Sequence, residues 1–258
     1  MSAWTTLLHK EFRMTRNSAL LSLAIVLIGG LWLVYLSHDR SIAIILAPAV
    51  LVPVILMFYP AIFMLKSLAW EWKVTPHLWL HCPQPAWMLL SSKLATALLQ
   101  MLAIIIITAL LLLLGVSVNP QQELDGINYS SLLAFVLEAG TYTAVFIFAA
   151  SIYIGAWATL ISTANYLAGS ILGRFRWLAG IAVFAVATLG LGWLQQTSFY
   201  KQITDWGPID IKLNSLQQLS LEHITSSQIF IGDILVYFFL TVGLYALSAW
   251  LIDHKAEV

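Results

Sequence analysis

The sequence predicts an all-α polytopic membrane protein with six spans. Three observations predict it. Apolar residues make up 60% of the 258 and charged residues only 9%, whereas a soluble domain carries about a quarter charged residues. The apolar residues are gathered into six runs, each near the roughly 20 residues a helix needs to cross a bilayer. Lysine and arginine are divided unequally between the connections. With the N-terminus inside, Lys10, Arg13, Arg16, Lys66, Lys73, Lys93, Arg174, Arg176 and Lys255 fall on the cytoplasmic side, against Arg40, Lys201 and Lys212 outside. That bias sets orientation and places both termini in the cytoplasm of a multi-pass cell-membrane protein.

The expected spans are 17–36, 42–65, 94–116, 132–160, 177–195 and 229–252. All belong to one membrane domain over 1–258. Residues 1–16 are basic but lack a small-residue cleavage site after the first apolar run, so they do not read as a cleavable signal. Trp4, Leu7, Leu8 and Phe12 fall on one helical face, and His9, Arg13 and Arg16 on another. This pattern predicts a helix lying in the membrane interface.

The link 37–41 is short, so spans one and two form an antiparallel hairpin. Span two contains Pro48, Pro53 and Pro60. Each lacks a backbone donor and tends to kink a helix, though membrane helices tolerate proline. The sequence leaves open whether span two merely tolerates them or bends in use. The external connection 197–228 contains Ile211, Leu213, Leu216, Leu219 and Ile224, a spacing compatible with a short amphipathic helix.

Formal net charge is zero, which supplies no basic footprint for nucleic acid. The single cysteine excludes an internal disulfide framework. His77, His81 and Cys82 form an H-x-x-x-H-C cluster. It lacks a further ligand nearby, and Leu78, Trp79 and Leu80 stand where a zincin motif needs its glutamate. No metal site is expected, and Cys82 reads as a reduced thiol. No G-x-S-x-G or Walker A loop occurs, so neither serine hydrolysis nor ATP binding by that loop is expected. Glu138 is the one acid placed well inside a span, with Thr141 and Tyr142 on its face. An intramembrane acid marks a path or proton site by default, and proximity to the outer rim would equally account for it. Ser151, Gly155 and Thr159, like Thr188 and Gly192, recur at spacings of four. Such spacing allows close helix approach within one chain or between two.

The stretch from Glu71 to Lys93 joins spans two and three on the cytoplasmic side. It shows Leu78, Trp79 and Leu80 between Pro76 and Pro83, and Trp87, Met88 and Leu89 just after Pro85. Aromatic and methionine side chains are enriched at protein contacts, and tryptophans also anchor to the membrane interface.

The stretch resembles the corresponding connection in the permease subunits of ABC transporters of the ABC-2 type. The matching residues are Glu71 closing span two, then Thr75, Leu78 and Leu80, Pro83 and a later Lys93. The opening LLHKEFRMTRNS, with its Lys10-Glu11 pair, is similar to that family's elbow helix, and the six-span layout with both ends inside agrees. Val74-Thr75 stands where the family often has Gly-Thr.

The resemblance implies a permease subunit of an ATP-driven transporter, an exporter, with a coupling segment at 67–93. Glu71, Thr75, Leu78, Trp79, Leu80, Pro83, Trp87 and Lys93 would face a separate cytoplasmic ATPase, which would hold the ATP and Mg. Trp4, Leu8, Glu11 and Phe12 would form the elbow helix, and a second permease chain would complete the path. The alternative from the residues alone is an ATP-independent carrier or channel built on Glu138, Thr141 and Tyr142.

Overall fold

The computed structural model describes residues 3–38, 43–74, 84–118, 129–211 and 227–255. Among the described residues, six helical segments are long and apolar enough to span a membrane, the second of them in two pieces. Their exposed surfaces are oily: Ile25, Ile28 and Trp32 on the first, Val50, Leu51 and Ile55 on the second, Val186, Leu189 and Trp193 on the fifth. Apolar surface on this scale needs lipid as its solvent, and the chain is a multi-pass membrane protein.

Helix α1 runs unbroken from Ala3 to His38. The division expected near Arg16 is missing from the backbone, because no proline or glycine occurs before Gly29 to interrupt the ladder. At 1.5 Å per residue it is about 54 Å long, against about 30 Å of hydrocarbon. Its first turns therefore extend beyond the span. The buried side is also rotated from the one expected. Trp4 and Leu8 are half-buried, Glu11 is buried, and Phe12 is exposed.

Span two is two helices, α2 (Ala43–Met57) and α3 (Tyr59–Val74), separated at Phe58. Pro48 and Pro53 are accommodated inside α2. Pro60 is the one beside the break, and α3 continues nine residues past the expected end at Leu65. Helix α4 (Ala86–Val118) packs most extensively against α1, and α5 (Tyr129–Leu167) against α3 and the last helix. A short helix, α6 (Gly169–Leu172), and a 3-10 turn (Gly173–Phe175) lead to α7 (Trp177–Gln195), whose bounds match the sequence expectation. Asn165 of α5 accepts the Gly180 N–H of α7 at 2.8 Å.

After α7 come α8 (Ser198–Thr204) and strands β1 (Pro208–Ile211) and β2 (Ser227–Phe230). The strands pair antiparallel, with Pro208 opposite Phe230 and Ile211 opposite Ser227. This ribbon was not expected; four residues give too little alternation to read as a strand. Gly207, at φ +66°, turns the chain into β1 with the Ile231 side chain packed over it. The amphipathic helix expected from Ile211 to Ile224 lies, apart from Ile211 itself, outside the described residues. Helix α9 (Ile231–Lys255) closes the chain.

Among the described residues the interior has two apolar centres. One joins Ala61, Met64 and Leu68 of α3, Ala86 and Leu90 of α4, Ala158 of α5, and Ala249 and Ile252 of α9. The other joins Leu56 of α2 to Met101 and Ile104 of α4, flanked by Leu23, Val26 and Phe148. The small-residue stripe of α5 is used within the chain. Ser151 donates to Met101 Sδ at 3.2 Å, and a Cβ at Gly155 would lie 2.8 Å from Leu94 Cδ1. At Gly192 of α7 a Cβ would meet nothing within 4 Å. Gly155→Val is therefore expected to cost about 1–3 kcal/mol by overpacking. Gly192→Val should be close to neutral by comparison, as read by thermal denaturation of the two variants in one detergent.

Candidate functional site

Of the four charged residues named in the resemblance, Glu11, Glu71 and Lys93 meet in one place, while Lys10 is exposed. Lys93, in the second turn of α4, is 1% exposed, and Glu11 and Glu71 are each 5% exposed. The Lys93 ammonium donates to Glu11 Oε1 at 2.9 Å, to Glu71 Oε1 at 2.8 Å and to Ser67 Oγ at 3.0 Å. An ammonium has three protons, and each has its own acceptor here. Glu11 comes from α1, Ser67 and Glu71 from α3. Through one nitrogen, α4 thus holds the N-terminal helix and the end of span two.

Helical spacing explains the convergence. On α1 the inward positions are Trp4, Leu8, Glu11, Thr15 and Ala19, which follow steps of three and four and make one stripe. On α3, Ser67 and Glu71 are four apart and share a face. On α4, Lys93, Thr96 and Gln100 are buried at steps of three and four. The hydroxyls near Lys93 are satisfied inside their own helix. Ser92 donates to the Leu89 carbonyl and Thr96 to the Ser92 carbonyl, both at 2.8 Å. They do not compete for the ammonium.

Further contacts surround the cluster. Trp4 Nε1 donates to Ser91 Oγ at 3.0 Å. The Ala86 N–H, an orphan donor at the start of α4, reaches Asp253 Oδ1 of α9 at 3.1 Å. The start of α1, the end of α3, the start of α4 and the end of α9 therefore lie at the same end of the bundle. Trp72 stacks on Tyr166 with ring centroids 4.6 Å apart, joining the end of α3 to the end of α5. Two helical turns further in, Gln100 Nε2 donates to Thr15 Oγ1 at 2.7 Å, and Tyr59 donates to Gln100 Oε1 at 2.8 Å. A polar layer again joins α1, α3 and α4.

Of the residues expected to face an ATPase, Glu71 and Lys93 are buried partners in this cluster, so their side chains face inward. Trp87 is half-exposed at the start of α4. Thr75, Leu78, Trp79, Leu80 and Pro83, with His77, His81 and Cys82, lie outside the described residues. Glu138 is half-buried on α5. Thr141 is exposed and donates to the Leu137 carbonyl at 2.7 Å, and Tyr142 is 47% exposed. Helix α5 runs antiparallel to α4, with Ser151 beside Met101 and Gly155 beside Leu94. Glu138 is therefore at the opposite end of the bundle from Lys93, and the two groups form separate regions.

Ser67, Tyr59, Gln100 and Thr15 escaped the sequence reading, as did the pairing of Glu11 with Lys93. One signal was present: Lys93, Thr96 and Gln100 form a single polar stripe on an otherwise apolar helix, and such a stripe demands buried partners. Comparison with known proteins finds no family model, curated protein or solved structure that matches this chain.

Removing one partner of a buried ion pair costs about 3–5 kcal/mol. Lys93→Met, which strands two buried carboxylates, is expected to cost that much. Glu11→Gln keeps the Lys93–Glu71 pair and should lose much less. Comparing melting temperatures of the two variants, each against the parent, checks this order.

Proposed function

We propose that this chain is the membrane-spanning permease subunit of an ATP-driven transporter of the ABC-2 type. The observation that carries the reading is the convergence of Glu11, Glu71 and Lys93. The resemblance named them, alongside Lys10, from two stretches some 60 residues apart in sequence, and the two carboxylates share the Lys93 ammonium.

The cluster ties both ends of the connection 75–83 to the N-terminal helix. A protein that pushes on that connection acts on α3 and α4 where Lys93 joins them, at a charged contact that is costly to break while buried. In this reading a cytoplasmic ATPase subunit holds ATP and Mg, and its closing and opening bear on the connection. A second permease chain, identical or related, supplies the other half of the path. The first turns of α1 continue the span past the cytoplasmic interface, with Arg13 and Arg16 at the level of the headgroups. Glu71 and Lys93 transmit the force, while the contact itself falls to the tryptophans and leucines around them, Trp87 among them.

The alternative carrier centred on Glu138 has less behind it, since Thr141 and Tyr142 are on an exposed face of α5.

Co-expression with an ATPase subunit encoded beside it tests the proposal. Affinity purification of the permease should recover the ATPase. Buried tryptophan anchors carry about 2 kcal/mol or more at interfaces, so the Trp79→Ala, Trp87→Ala double variant should reduce recovery by at least about tenfold. Failure to recover any such ATPase with the parent chain would contradict the reading.

A further inference from the structure

Span two is broken at one point, and what lies on either side of the break belongs to different parts of the molecule. At the break the Phe58 N–H donates to the Ile55 carbonyl at 3.1 Å, three residues back instead of four, and the Ile62 N–H reaches the Phe58 carbonyl at 3.0 Å. Pro60 has no N–H to give to the Leu56 carbonyl, so the ladder is interrupted where the two helices meet. Before the break, Val52 and Leu56 pack into the apolar centre around Met101 and Ile104. After it, Ala61, Met64 and Leu68 pack into the centre shared with α5 and α9. Pro60 itself is fully buried and faces Gly155 of α5, where a Cβ would lie 3.8 Å from the Pro60 Cβ.

Two polar attachments of α3 lie toward its two ends, and both reach α4. Tyr59 at the break holds Gln100. Ser67 and Glu71, toward the far end, hold Lys93. Between them α3 is a continuous helix of 16 residues. A stiff segment with a backbone break at one end and a polar latch at the other has the elements of a lever.

We propose that α3 turns as a rigid body about Phe58, with the Lys93 cluster as the latch that holds it in the position seen here. Force arriving at Val74 would then reposition α3 without dragging α2, which stays with the other apolar centre. The device belongs to this chain and holds whatever protein supplies the force. Its test therefore needs no partner and stands apart from the ATPase reading.

The lever predicts unequal motion in the full chain reconstituted in lipid nanodiscs. Nitroxide labels go on Cys82→Ala protein at two pairs, Val74 with Leu247 and Val50 with Leu247, all exposed positions, and distances are read by pulsed EPR. Releasing the latch with Lys93→Met should broaden or shift the 74–247 distance and leave the 50–247 distance unchanged. A helix of this length is about 24 Å, so a turn of about 10° moves its end by about 4 Å, which the method resolves. Adding Pro60→Ala, which restores the missing donor, should narrow the 74–247 distribution again. If Lys93→Met yields no folded protein, the Ser67→Ala, Glu71→Ala double variant removes both α3 acceptors while leaving Glu11 on Lys93, and the same pattern is expected. Equal change in both pairs would overturn the lever, as would a distribution that Pro60→Ala does not narrow or a 74–247 distance unmoved by release of the latch.

Discussion

One ammonium group organises the end of the bundle where the chain begins and ends. Lys93 is almost fully buried in a helix that otherwise reads as a membrane span, and an isolated charge there would cost several kcal/mol even after relaxation. The fold meets that cost by bringing two carboxylates and a hydroxyl to the same nitrogen. Those ligands come from the first and third helices, so the requirement of one side chain fixes the relative placement of α1, α3 and α4. The length of α1 follows from it as well. Glu11 reaches Lys93 only because the helix continues past the span, without a break, along the start of α4.

Above that cluster the bundle is layered. An apolar centre around Met64, Leu68 and Leu90 meets a second one around Leu56, Met101 and Ile104, and the polar group of Thr15, Gln100 and Tyr59 lies beside their junction. In lipid there is little hydrophobic force between helices, so polar contacts and close packing set which helices meet. The two polar groups specify partners and register, and Gly155 lets α5 come close to α4 and to Pro60. The outer surfaces, with Ile28, Trp32, Leu189 and Trp193 exposed, are left to the bilayer. The break at Phe58 falls at the boundary between the layers, and this gives span two the freedom that a continuous helix would lack.

The spans were legible because each is a long run with few charges, and lipid imposes that pattern on composition. The fifth was read to the residue because its ends are abrupt: Arg174 and Arg176 precede it and polar Gln195 and Gln196 finish it. Lengths were underestimated where a helix continues into water with mixed composition, as in α1, the far part of α3 and α5. Glu11, Glu71 and Lys93 were each visible as charges in apolar surroundings. Their meeting was not, because periodicity describes one helix at a time and contains nothing about which faces oppose. For the same reason Gln100 and Tyr59 passed as ordinary span residues. Of the prolines, Pro60 alone breaks the helix, and its distinction from Pro48 and Pro53 lies in packing that the sequence does not display.

The central claim is that the charge arrangement at Lys93 holds the bundle together at this end. A charge exchange tests it most directly. Lys93→Glu places three carboxylates together and Glu71→Lys places two ammoniums against one carboxylate, while the double exchange restores the original complement with two sites swapped. Melting temperatures of the singles and the double form a cycle that isolates the pairwise term. The account predicts that both singles melt well below the parent and that the double recovers much of the loss. A double variant as unstable as the sum of its singles would contradict it.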